Sequence, residues 1–172
     1  MRIATLVLVS ALAAGCSRGG ARADVPFDAR RFVLTTNQST IAGVDLGLMA
    51  ARRGRRPETR QLGSIMHRQQ NDLRHALLAV AQRKAIPVTD VPEPRKLALR
   101  ENLEVLPGEV FDRGYALAML QDLNAMSASF DKAARSSDRE LAAFARQYLP
   151  RIREQRELAS RLLNALGGSP FV

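Results

Sequence analysis

Residues 85–108 read AIPVTDVPEPRKLALRENLEVLPG, and this stretch decides between the two ways in which four helices can be joined. Pro87, Pro92, Pro94 and Pro107 exclude one long helix here, because proline donates no backbone hydrogen bond and its ring collides with the preceding turn. A short helical piece fits only around Leu97 to Leu103. At roughly 3.3 Å per extended residue, a link of this size reaches the full length of a helix. An up-down-up-down bundle has no use for such a link, whereas a bundle with one crossover requires it.

On both sides of the link the apolar residues recur at three and four, the helical period. Phe32, Leu34, Ile41, Val44, Leu48 and Met49 mark a first helix that begins at Asp28 and stops at Gly54. Pro57 and Glu58 open a second, with the stripe Leu62, Met66, Leu73, Leu77 and Val80. Phe111, Tyr115, Met119, Met126 and Phe130 mark a third. The fourth carries Leu141, Phe144, Tyr148, Ile152, Leu158, Leu162 and Leu166, with Ser137 or Asp138 as its cap. Pro150 falls inside that helix and is expected to kink it or to remove one backbone bond. The reading is an all-α four-helix bundle over residues 28–168, with its crossover between the second and third helices.

Composition agrees. A chain of 172 residues buries one core, and apolar residues at 46% with no tryptophan favour helices packed through aliphatic side chains. The net charge of +9 rests on arginine, since Lys84, Lys96 and Lys132 are the only lysines. Solvated helix faces account for most of it, with anionic lipid headgroups or surface polysaccharide as an alternative destination. Nothing interleaves aromatic with basic residues as base stacking would need, so a nucleic-acid partner is not expected.

The first residues read as an export leader. Arg2 precedes an apolar stretch from Ile3 to Ala14 that is too short to span a bilayer. Ala13-Ala14-Gly15-Cys16 follows and resembles the lipobox of bacterial lipoproteins, with Ala13 where leucine is usual. Cleavage before Cys16 makes residues 1–16 the leader region, makes Cys16 the acylated anchor and leaves residues 17–27 as a flexible tether. The rival site, Ala21-Arg22-Ala23, releases a soluble protein by a cut after residue 23. Cys16 is the sole cysteine, which excludes an intramolecular disulfide and favours the anchor. The expected location is the periplasmic side of a bacterial membrane, the outer membrane favoured, with soluble periplasmic or secreted forms as alternatives.

Several short pieces in order carry a family resemblance. They are Phe32-Val33, Val44-Asp45-Leu46-Gly47, Met66, Phe111-Asp112-Arg113-Gly114-Tyr115, Met119, Leu141-Ala142-Ala143-Phe144-Ala145 and Leu149-Pro150. Over about residues 31–166 the chain resembles a family of exported bacterial proteins of unknown function, often labelled outer-membrane proteins and assigned to the ferritin-like four-helix class. The resemblance implies an acidic residue on the first helix and histidines on the other three. Here the matching positions read Asp45, Gln70, Leu123 and Gln155, with Asp122 beside the third. A ferritin-like di-metal site draws on Glu-x-x-His pairs, and this chain has none, so no metal or other cofactor is expected.

Periodicity places Gln70, Gln155 and Asp122 on the core side of their helices and leaves Asp45 ambiguous. These four are either a vestigial polar site or a buried layer that fixes helix register, with amide-to-carboxylate hydrogen bonds expected between them. Asp72 and His75 lie opposite the apolar stripe and read as a solvated pair; His67 can face either way. No nucleophile elbow or phosphate loop is present, so catalysis is not expected. Arg52, Arg53, Arg55, Arg56 and Arg60 crowd the turn between the first two helices, a candidate surface for an anionic envelope partner. The functional expectation is a non-enzymatic, lipid-anchored binding or envelope-associated protein, and the alternative is a ferritin-like metal-binding protein or oxidoreductase.

Overall fold

A computed structural model describes residues 27–167, and every regular element among them is helical. Five helices follow in order: α1 (Ala29–Arg53), α2 (Pro57–Arg83), α3 (Pro94–Glu104), α4 (Gly108–Ala134) and α5 (Arg139–Ala165). The leader, the tether as far as residue 26 and Cys16 lie outside the described residues.

Local chemistry sets the boundaries. The Asp28 carboxylate accepts from the N–H of Arg31 at 2.9 Å and so caps α1. Asp138 does the same for Leu141 at 3.1 Å, which settles the cap of α5 in its favour over Ser137. Pro57 and Pro94 occupy the first positions of α2 and α3, where a missing N–H costs nothing. The short helix in the link is longer than the sequence pattern indicates, because Pro94 starts it rather than ending what precedes it. α5 runs unbroken through Pro150, whose ring is exposed.

The direction of each helix follows from what meets at its ends. Asp112, near the start of α4, accepts from the backbone N–H groups of Arg55 and Arg56 just past α1. Lys84 after α2 pairs with Asp138 before α5 at 2.6 Å, and Arg56 reaches the Ala165 carbonyl where α5 ends. Thus α1 and α5 run one way, and α2 and α4 the other. Each long helix packs antiparallel to two neighbours, α1 on α2 and α4, α5 on α2 and α4. The link leaves the far end of α2 and returns to the α1–α2 turn, so it runs the length of the molecule.

Polar side chains of α1 pin that link. Asn37 Nδ2 donates to the Thr89 carbonyl at 2.7 Å; Gln38 donates to the Val91 carbonyl and accepts from the Glu93 N–H. Leu103 of α3 then enters the core. α1 and α2 pack backbone against backbone. A Cβ on Gly63 would stand 2.5 Å from the Ala51 nitrogen, and one on Gly47 2.6 Å from the His67 nitrogen, so only glycine permits the two backbones to touch there.

Candidate functional site

Gln70 on α2 and Gln155 on α5 are fully buried, and their amides bond to each other rather than to a carboxylate. Gln70 Nε2 donates to Gln155 Oε1 at 2.7 Å, and Gln155 Nε2 donates in turn to Gln69 Oε1 at 2.7 Å. Gln69 is half-buried, so the three amides lead outward from the interior. Gly43 on α1 makes the room, since a Cβ there would stand 2.8 Å from Gln70 Cγ. Leu123, which stands where the resemblance implies a histidine, is fully buried in the apolar core. One atom of this layer lacks a partner: Gln70 Oε1 is buried and accepts nothing.

The two carboxylates are elsewhere. Asp45 is half exposed on α1 and pairs with Arg100 of α3 at 2.9 Å, because the register that buries Leu46 and Met49 turns position 45 toward the link. Asp122 pairs with Lys96 of α3 at 2.5 Å and accepts from Ser39 at 3.1 Å. Both are locks between α3 and the long helices. Of the four polar residues singled out in the sequence, only Gln70 and Gln155 come together, through an amide–amide bond where amide–carboxylate bonds are expected. Among the described residues no three of His, Cys, Asp and Glu are placed to hold a metal ion.

The arginine turn has internal duties. Arg60 donates to the carbonyls of Gly54 and Arg55 at 2.8 and 2.7 Å, closing the C-terminus of α1. Arg53 donates to the carbonyls of Glu104 and Leu106 at the end of α3, with its guanidinium over the Phe111 ring. Arg56 reaches Ala165 and Glu109, and Arg113 donates to the Leu166 carbonyl. These cations satisfy carbonyls that helix ends leave unpaired and that carry partial negative charge. Arg52 and the Arg55 side chain make no such bond among the described residues.

Asp112 is the residue that sequence reading missed. It is fully buried and takes the N–H groups of Arg55 and Arg56 at 3.0 and 2.9 Å, which clamps the turn to α4. Its signal in the sequence was its place in the Phe111-Asp112-Arg113-Gly114-Tyr115 piece of the family resemblance, which assigned it no role. Tyr115, one turn on, is buried with no partner for its hydroxyl, and burial pushes its phenol far above the ordinary value. It is an inert neutral group. His67 Nδ1 donates to the Val44 carbonyl at 3.1 Å, and Asp72 and His75 are exposed. No helix among the described residues is long and apolar enough to cross a membrane.

The model of a family described as a domain of unknown function, DUF4142, matches residues 14–162, which is most of the chain. No match was found among curated proteins or among solved structures.

Proposed function

We infer that this chain, which belongs to the DUF4142 family, is a non-enzymatic helical module that binds or associates with components of the bacterial envelope. In this reading Cys16 is acylated and tethers the domain to the periplasmic face of a membrane, the outer membrane favoured. The frame is the ferritin-like one: the alternating helix directions and the full-length crossover support it. Its interior layer, in this reading, is structural.

The observation that carries this reading is the Gln70–Gln155 pair. At two of the positions where the resemblance implies imidazoles, neutral amides bond to each other, and Leu123 fills the third with hydrocarbon. Amides are poor substitutes for imidazole as metal ligands, and the Gln155 oxygen is already engaged by the Gln70 amide. The layer therefore acts on helix register rather than on a substrate.

Metal analysis of protein purified from the envelope is the test. Near-stoichiometric iron, manganese or zinc would overturn the reading, most directly if it disappears in Gln70→Leu; metal-free protein whose Gln70→Leu variant differs only in stability agrees with it. Intact mass of the mature chain decides the anchor, because it reports the cleavage site and the acyl groups together. The metal-binding or redox alternative has one observation on its side, the unpartnered Gln70 Oε1, since a carbonyl oxygen ligates hard cations.

A further inference from the structure

At the turn end of the bundle, the first half of α2 and the last turns of α5 leave a groove of about 350 Å³ between them. Leu62, Leu158, Leu162 and Ala165 form its floor and Ile65 a wall. Ile65 is half-buried yet is not among the side chains packed on the core, so its apolar surface faces the groove. At the rim stand Arg56 and Arg161, with Glu58 and Gln61. Arg161 is exposed and has no hydrogen bond or ion pair among the described residues. Arg56 donates to the Ala165 carbonyl at 3.3 Å and meets Glu109 at 3.4 Å, both long contacts.

We propose that this groove binds a small amphiphile with one anionic head and a straight apolar tail, of the medium-chain carboxylate class. Its volume lies within the range of roughly 300–1,000 Å³ typical of small-ligand sites. The lining runs from Glu58 to Ile65 and from Leu158 to Ala165, about 10 Å of helix at 1.5 Å per residue, which suits an extended tail of about eight carbons. The head is anionic because two guanidiniums face one carboxylate at the rim, and Arg52, Arg55 and Arg60 of the adjacent turn add to the positive potential. The tail lies toward Ile65 and Leu158, farthest from Arg56. This extends the reading of the chain as a binding module and is independent of the anchor: failure here says nothing about acylation, which the intact mass reports.

Titration of the delipidated full-length chain with sodium octanoate, followed on the Ile65 and Leu158 methyl signals, tests it. The expected Kd is on the order of 10⁻⁴ to 10⁻³ M, in line with the efficiency of small ligands. Each methylene added between hexanoate and octanoate should tighten binding by up to about fourfold, and longer tails should gain little. Arg161→Glu should weaken octanoate about tenfold, as loss of a charged contact does, and Ile65→Asn should weaken it too. Neither residue belongs to the core, so thermal unfolding should be unchanged. Arg139→Glu at the opposite end should have no effect. Equal binding of the methyl ester or of octyltrimethylammonium would overturn the proposal, as would indifference to Arg161→Glu. Binding that appears only after deletion of residues 168–172 would overturn it as well, by giving the groove to the chain's own end.

Discussion

The two ends of this bundle are closed by different physics. At one end Phe27, Phe32, Phe130, Phe144 and Tyr148 form a continuous ring cluster, with successive centroids 5.0 to 6.5 Å apart. At the other, the α1–α2 turn is tied by the buried Asp112 and by arginines that reach the carbonyl ends of α1, α3 and α5. Rings bury area and need no partner in particular. Carboxylates and guanidiniums must find theirs, and a missing one leaves a buried polar group unpaid. The arginine-tied end is thus the one whose sequence is constrained pair by pair, and it is also where the α2–α5 groove opens.

Four measurements test that contrast. The largest effect is expected for Phe130→Ala, which empties a fully buried site in the ring cluster and should lower unfolding free energy by about 3–5 kcal/mol in denaturant. Asp112→Ala should come next, at about 2–3 kcal/mol, because it strands two backbone donors; Asp112→Asn keeps an acceptor and should cost less. If Asp112→Ala proves harmless, the turn end is held by packing and the contrast fails.

The ring end also carries ion pairs, Arg83 with Glu140 and Lys84 with Asp138, and pH should reveal the second. Burial pulls the Asp138 carboxyl upward, but Lys84 and the N–H of Leu141 outweigh it and hold the group below the ordinary carboxylate value. A depressed folded value means that the stabilisation is present above about pH 4, the ordinary value, and is lost as pH falls through the lowered one. Lys84→Met should shrink that acid-side loss, by less than about 1 kcal/mol for a pair at the edge of the bundle that solvent still reaches. The smallest effect belongs to Arg52→Gln with Arg55→Gln, which should change stability by no more than about 0.5 kcal/mol. The same change at Arg56 and Arg60 should cost about 1 kcal/mol by freeing helix-end carbonyls. Loss of affinity for anionic vesicles or peptidoglycan in the first pair alone would assign the partner surface to the two arginines that the fold does not use.

Much of the fold was legible because helical periodicity, Asp28, Pro57 and Asp138 are local signals. The crossover was legible because its prolines forbid one long helix and its length has one use. The candidate site was legible only in part. Gln70 and Gln155 fall on apolar stripes, which is why their burial could be read in advance. Their partnership could not, since they are far apart in sequence and the choice of amide over carboxylate depends on how α2 and α5 rotate against each other. Asp45 was ambiguous for the same reason: α1 has two possible apolar registers, and the contact with α2 at Gly47 and Gly63 selects one.

By itself, then, the sequence determined the long helices, their approximate ends and the single crossover, because each depends on residue type or near-neighbour spacing. Tertiary structure decided which polar groups pair. Asp112 with the α1–α2 turn, the arginines with three helix ends, and Gln70 with Gln155 are all contacts across the bundle. Their energy comes from desolvation and geometry that no local pattern encodes.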